Sequence, residues 1–111
     1  MPMFMLMGRY SPEAIKAMMD SGADRESAAR EVATAAGGKL LGFYGMFGQE
    51  HHVALILDVP GNAEYIGTLA TVMMAGTFSS YKTIPLYTSA ELAKASGVSK
   101  KVRSAYRPPA A

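Results

Sequence analysis

Residues 37–60 read GGKLLGFYGMFGQEHHVALILDVP, and the rest of the chain is organised around them. Two mostly apolar runs, residues 40–47 and 53–57, stand on either side of a polar turn that begins at Gly48. A Gly-Gly pair precedes the first run and a Pro-Gly pair follows the second, and both pairs interrupt regular structure. The pattern predicts two strands joined by a turn, a β-hairpin.

Upstream of the hairpin, a short apolar run over residues 3–10 predicts the first strand. Ser11 and Pro12 are typical of an N-cap and of the first helical residue. We expect the helix that they start to break or kink at Ser21-Gly22, and Asp24 to cap a second helical segment.

Downstream of the hairpin, Asn62 is predicted as the N-cap of the next helix, which Gly76 ends. Residues 78–87 then predict a fourth strand. Pro85 lies inside this strand and has no N–H to donate to a ladder, so we expect the strand to lie at an edge of the sheet or to be irregular there.

The C-terminal part is predicted as a short helix followed by a tail. Thr88 and Glu91 have the spacing of a capping box for a helix over residues 89–96, and Gly97 is expected to end it. The chain is therefore divided into a domain, residues 1–97, and a basic, proline-containing tail, residues 98–111.

The order β-α-β-β-α-β predicts an α+β protein of the ferredoxin-like class. Such a protein has a four-stranded antiparallel sheet with its helices on one face. The first strand is apolar at both parities, with Met3, Met5 and Met7 on one side and Phe4 and Leu6 on the other. A face in contact with water should alternate with polar residues. We therefore expect a second copy on the open face, in a homodimer or a larger assembly that encloses a shared cavity.

Composition argues against several classes of function. The 111 residues contain no cysteine, are 50% hydrophobic and carry a net charge of +2. Residues 100–111 hold four basic and no acidic residues, so the rest of the chain is at −2. The basic excess thus belongs to the tail, and we expect no nucleic-acid partner. No apolar run reaches the roughly 18 residues of a membrane span, and no signal peptide is recognisable. We expect a cytoplasmic protein without a cofactor.

Several short motifs, in this order and spacing, resemble the GYD-domain family. They are Tyr10-Ser11-Pro12-Glu13, Gly37-Gly38-Lys39-Leu40, Phe43-Tyr44 with Phe47-Gly48, and an apolar strand that ends at Pro60. The resemblance covers residues 3–92 and implies membership of the dimeric α/β-barrel superfamily. That superfamily includes cofactor-free monooxygenases, isomerases, haem enzymes and ligand-binding domains, so the fold alone does not select an activity.

The sequence departs from the family at its Gly-X-Tyr-Asp signature. Here Gln-Glu-His-His follows Gly48, and the turn is one residue longer. Counted back from Pro60, His52 stands in the place of the aspartate and His51 in that of the tyrosine. A role of that carboxylate does not transfer to this chain, unless Glu50 replaces it.

Candidate site residues lie near the strands. His52, and after it His51, is a candidate general base, because imidazole titrates near neutral pH; the alternative is a solvated turn histidine. The candidate ligand-binding residues are Arg9, Tyr10, Tyr44, Glu50 and Tyr81. Tyrosines suit an apolar ligand that needs one hydrogen bond, and Arg9 suits an anion, although interface packing and solvent exposure are the simpler alternatives.

The leading hypothesis is a small homo-oligomer that binds an apolar or aromatic small molecule in a barrel cavity, with or without cofactor-free catalysis by a histidine. One alternative is a non-catalytic oligomeric scaffold whose basic tail binds a partner. A second alternative is metal or haem binding through His51 or His52, although adjacent strand residues point to opposite faces and do not readily ligate one metal.

Overall fold

The computed structural model describes residues 1–110. Four strands and four helices follow one another along the chain, in the order β1 (Met3–Tyr10), α1 (Pro12–Ser21), α2 (Arg25–Ala35), β2 (Lys39–Gly45), β3 (Val53–Asp58), α3 (Asn62–Met74), β4 (Phe78–Leu86) and α4 (Ser89–Ala105). The predicted hairpin forms β2 and β3, and the predicted first and fourth strands form β1 and β4.

The strands form one antiparallel sheet in the order β2-β3-β1-β4. This order, with helices between the strands, is the ferredoxin-like arrangement that the sequence predicted. β4 is an edge strand, and its Pro85 lies opposite Phe4 of β1. An edge position tolerates the missing N–H, so the prediction from Pro85 is confirmed.

The N-terminal half of the helical layer starts and stops where the sequence predicted. The Ser11 hydroxyl accepts the N–H of Ala14 at 3.1 Å, and Pro12 is the first residue of α1. Gly22 ends α1 with a left-handed φ of 64°, a conformation that favours glycine. The Asp24 carboxylate then accepts two N–H groups of the first turn of α2, which caps that helix.

Two helix boundaries differ from the predictions. Gly61, not Asn62, is the N-cap of α3, and no side-chain hydrogen bond caps that helix. The Thr88–Glu91 capping box is confirmed, but α4 continues through Gly97 to Ala105. A glycine inside a helix costs only about 1 kcal/mol, and the Lys, Arg and Ala residues after it favour helix, so Gly97 does not end α4.

Much of the predicted tail is therefore helical, since residues 98–105 belong to α4. Ala111, the last residue of that tail, lies outside the described residues. The division of the chain into a domain, 1–97, and a tail, 98–111, stays a prediction.

The core lies between the sheet and the helices α1 to α3. Alternate residues of β1 and β3 point into it, and α2 and α3 each contribute one buried residue. The Phe4 and Tyr65 rings stack at 4.3 Å, and the Tyr65 hydroxyl shares a 2.7 Å hydrogen bond with Thr83. The buried hydrophobic residues are Phe4, Leu6, Tyr10, Ala33, Leu40, Val53, Leu55, Leu57, Val59 and Tyr65.

The other face of the sheet, which we call the open face, is also apolar. In β1 it carries Met3, Met5 and Met7, all half-buried, and the ladder places Ile56 and Ile84 beside Met5. The helix residues that pack on the core all lie on the opposite side of the sheet, and α4 has no buried residue. Apolar residues at both parities of β1 are therefore confirmed, while dimerisation stays a proposal.

The molecule is elongated because of α4. Its Cα radius of gyration is 18.0 Å and its principal extents are 61 × 32 × 23 Å. A compact chain of this length has a radius of gyration of about 13 Å. A helix of this length measures about 25 Å, and with none of its residues buried it extends away from the sheet.

Candidate functional site

A cavity of about 100 Å³ lies between the sheet and the helices α2 and α3. The space is partly open to solvent. Its walls are almost entirely apolar, and Arg25, Thr68 and Thr77 add polar atoms. The apolar and aromatic residues around it are Leu6, Tyr10, Ala28, Ala29, Val32, Phe43, Leu55, Leu57, Val72 and Phe78.

A glycine in β1 fixes one wall of this cavity. The ring of Phe78 covers Gly8, and a Cβ at Gly8 would collide with it. This close approach also brings Phe78 to 5.5 Å from the ring of Tyr10. Both aromatic rings line the cavity, so the small residue at position 8 shapes its end.

The cavity adjoins a wider pocket of about 470 Å³ beside the β2–β3 turn. Tyr10, Arg25 and Phe43 line both spaces and join them. Phe47 and His52 line the wider pocket, with ring centroids 5.0 Å apart in an edge-on arrangement. We call the group Tyr10, Arg25, Phe47 and His52 the mouth of the cavity.

Backbone and side-chain hydrogen bonds hold His52 in place. The His52 Nδ1 accepts the backbone N–H of Tyr10 at 3.2 Å, and the backbone N–H of His52 donates to the Gly8 carbonyl at 2.8 Å. Only 8% of the residue is exposed, so the interpretation as a solvated turn histidine is wrong. Because Nδ1 is an acceptor, the neutral ring carries its proton on Nε2.

The protonation of His52 follows from the same surroundings. Burial lowers the pKa of His52, and the neighbouring Arg9 and His51 lower that pKa further. The neutral imidazole therefore predominates at pH 7. With one nitrogen occupied and the other protonated, His52 offers a hydrogen-bond donor at the mouth and has no free basic nitrogen.

The Tyr10 hydroxyl stays protonated at neutral pH. Burial raises the pKa of Tyr10, and the Arg25 guanidinium opposes this effect. Tyr10 packs against Phe78 and lies 6.2 Å from the His52 ring, between centroids. The mouth thus combines a phenol, an imidazole N–H and a guanidinium, which are all hydrogen-bond donors.

The other predicted residues lie apart from this mouth. Arg9 has the opposite parity to Tyr10, and its guanidinium donates to the Glu50 carbonyl at 2.9 Å. The Glu50 side chain is exposed, and this bond uses its backbone, so the contact gives no carboxylate in the place of the family's aspartate. His51 is half-buried in the same turn.

Tyr44 and Tyr81 lie on opposite faces of the sheet. Tyr44 pairs with Ala54 on the open face and is 65% exposed, whereas Tyr81 pairs with Gly8 on the helix-covered face. A single protomer therefore does not bring the two tyrosines into one pocket. Their predicted role in ligand binding stays a prediction.

Arg25, Phe43, Phe47 and Phe78 were not among the candidate residues. The signal for Arg25 is a missing partner, because Lys16 and Arg30 each form an ion pair with an acidic residue four positions away on the same helix, at 2.7 and 3.0 Å. Arg25 has alanine four positions later. An unpaired arginine beside an apolar helix face is a candidate for ligand contact.

Two further features bear on the alternatives. Within residues 1–110, no group of three or more His, Asp or Glu side chains is arranged to hold a metal ion. Among the helices of the same residues, none has both the length and the apolar character needed to span a membrane.

The sheet order and the helix placement define an α+β protein of the ferredoxin-like class. The sequence model of the GYD domain matches residues 4–96, and the chain therefore belongs to the GYD domain family. A comparison with curated proteins gave no match. Among solved structures, the chain is similar to an uncharacterized NIPSNAP domain protein from Burkholderia xenovorans, with 14% identity and a TM-score of 0.46, over 81% of this chain and 96% of that one.

Proposed function

We propose that this protein binds an apolar or aromatic small molecule in the cavity between the sheet and the helices α2 and α3. The observation that carries the proposal is an apolar space of about 100 Å³ that opens onto a mouth of hydrogen-bond donors. Its apolar walls favour an apolar ligand body, because binding there removes apolar surface from water. Ligand sites commonly combine such walls with a few convergent polar groups.

The mouth favours a ligand with an oxygen at one end. The hydroxyl of Tyr10, the Nε2–H of His52 and the guanidinium of Arg25 all donate, and a carboxylate, phenolate or carbonyl oxygen accepts from such groups. The aromatic body of the ligand would contact Phe43 and Phe78 inside the cavity. In this proposal His52 orients or polarises the ligand by donation, in place of the general-base role expected from the sequence.

The second part of the proposal concerns the assembly. The open face is an apolar surface on a chain whose helices pack on the other side, and exposed apolar patches mark interaction sites. Two copies that pack their open faces together would cover Met3, Met5 and Met7. Each protomer then keeps its own ligand cavity, in contrast to the single shared cavity expected from the sequence.

The test is a pair of titrations followed by NMR backbone shifts, with toluene as the neutral probe and benzoate as the anionic one. Both probes should shift amides around the cavity, at Leu6, Phe43 and Phe78. Ala29→Leu fills the cavity and should reduce binding of both probes at least tenfold. Ala35→Leu, on the exposed side of the same helix, is the matched control and should bind as the wild type does.

Arg25→Gln separates the mouth from the cavity. It should weaken benzoate severalfold and leave toluene unchanged, because only the carboxylate needs the guanidinium. Shifts confined to the open face, or equal binding by the Ala29→Leu and Ala35→Leu variants, would contradict the proposed site. A visible haem spectrum or bound metal in the purified protein would favour the metal or haem alternative.

A further inference from the structure

The helix α4 carries a narrow apolar stripe that nothing in its own protomer buries. It is 17 residues long and has no buried residue. At 100° per residue, Lys100 lies opposite the stripe, and Lys94, Lys101 and Arg103 border it. We call this apolar set the α4 stripe; its members are Leu92, Ala95, Val98, Val102, Ala105 and the C-cap residue Tyr106.

An isolated helix of this length is only marginally stable in water, and Gly97 weakens it further. Leu92, Val98, Val102 and Tyr106 are 56–62% exposed. The connection to β4 consists of Tyr87 and Thr88 alone, and the capping box fixes Thr88. α4 therefore leaves the sheet in a set direction, and what covers its stripe must come from outside the protomer.

A second unpartnered surface lies on α3. One side of this helix packs on the core through Tyr65 and Leu69. The opposite side carries Ile66, Met73 and Met74, which are 62%, 45% and 81% exposed. A helix that is apolar all round is normally buried on both sides. We call this outer side the α3 stripe; its members are Ala63, Ile66, Gly67, Ala70, Met73 and Met74.

The two stripes match in length and in small residues. Residues 92–106 span about 21 Å along a helix and residues 63–74 about 17 Å. Gly67 and Ala70 allow a second helix to approach closely, and no atom lies within 4 Å of the Cβ position at Gly67. Exposed methionines adapt their shape to a partner.

Charge selects the helical layer over the open face as the place where α4 binds. The segment 12–35 together with α3 carries six acidic and three basic residues, a net charge of −3, while α4 carries one acidic and four basic residues, a net charge of +3. The four strands carry Arg9, Lys39, Lys82 and Asp58, a net charge of +2. The basic helix α4 is therefore attracted to the acidic helical layer and repelled by the basic sheet.

We infer that α4 of one copy packs its stripe against the α3 stripe of a second copy. This contact joins copies through the helical layer and is separate from the pairing of open faces. It stands whether or not the cavity binds a ligand. It also explains how a helix with no buried residue is maintained.

The test is cysteine crosslinking, for which the chain offers a clean background because it has no cysteine of its own. ¹⁵N-labelled Val102→Cys protein is mixed with unlabelled Met73→Cys protein, and the oxidised mixture is analysed by mass spectrometry. Both substitutions are at exposed positions, so the fold should persist, which circular dichroism checks. A mixed disulfide between labelled and unlabelled chains is the expected product.

Two matched pairs make the result decisive. Lys100→Cys lies opposite the α4 stripe and should crosslink with Met73→Cys at least tenfold less than Val102→Cys does. Val102→Cys mixed with Met5→Cys tests the open face of a second copy, and a higher yield there would overturn the inference. So would the absence of a mixed disulfide, or a crosslink that forms only within one chain when Val102→Cys and Met73→Cys are combined.

Discussion

The two faces of the sheet have similar apolar composition and different surroundings. On the helix-covered face, Phe4 and Leu6 are 8% and 2% exposed, within a core that also holds a cavity. On the open face, Met5 and its neighbours are half-buried only because adjacent strands flank them. The comparison shows that helices of the same chain cover one face of the sheet and leave the other uncovered, and it is for this second face that we propose a partner.

The choice of side chains agrees with this division. The covered face uses rigid aromatic and branched residues, which pack in one arrangement. The open face of β1 carries three methionines, a flexible residue type that suits adaptable binding surfaces. The same residue type recurs on the α3 stripe as Met73 and Met74, so methionine marks both surfaces for which we propose partners.

The largest expected effect comes from truncation of neighbouring residues on the two faces. Leu6→Ala should lower the free energy of unfolding by about 2–5 kcal/mol, since it removes a buried side chain and enlarges the cavity that Leu6 lines. This loss should be independent of protein concentration. Met5→Ala should lower the free energy of unfolding by less in dilute solution and by more as the protein concentration rises. Part of its effect is the loss of contacts in the proposed interface between open faces. Urea unfolding at two concentrations separates the two, and identical behaviour of both variants would contradict the distinction.

A smaller effect is expected in α4, where stability depends on the helix itself. Gly97→Ala should raise the helix content and add about 1 kcal/mol, because no atom lies within 4 Å of the new Cβ. Gly38→Ala is the contrasting change, since its Cβ would collide with the Asp58 carbonyl at the start of the hairpin. Circular dichroism and thermal unfolding should move in opposite directions for the two variants. A destabilising Gly97→Ala would show that the residue packs closely on a partner.

The smallest effect concerns pH at the end of the covered face. The pKa of His52 is lower in the folded protein than in the unfolded chain, so the unfolded chain binds more protons as the pH falls. Stability should therefore decline as the pH falls through about 6.5, the ordinary histidine value. His52→Asn keeps an acceptor for the Tyr10 N–H and should remove this decline between pH 7.5 and 5.5. His51→Asn should retain it, and a flat wild-type profile would contradict the assignment.

Much of the fold could be predicted because local signals and patterning agreed. Ser11-Pro12, Gly22, Asp24 and Thr88 mark helix ends by their own chemistry, and each is found at the expected place. Apolar residues at both parities of β1 revealed a second apolar face without any tertiary information. The prediction that Gly97 ends α4 was wrong, because one glycine destabilises a helix only slightly and the residues after it have high helix propensities.

The site was less predictable because it depends on how deeply each side chain is buried and on which face of the sheet it lies. His52 was singled out for titrating near neutral pH, yet its Nδ1 serves as the acceptor for Tyr10, a contact between residues 42 positions apart. Tyr44 and Tyr81 looked alike in sequence, and the register places them on opposite faces. The cavity arises from the way the helices pack on the sheet, and the hydrophobic periodicity of the sequence does not predict that packing.

The pairing of open faces is tested most directly by native mass spectrometry of the untagged protein beside its Met5→Lys variant. We expect an even-numbered oligomer for the wild type. We expect a smaller species for Met5→Lys, because a lysine would be buried without a partner in the interface. A wild type that is monomeric at micromolar concentration, or a Met5→Lys variant with the same assembly as the wild type, would contradict the proposed pairing of open faces.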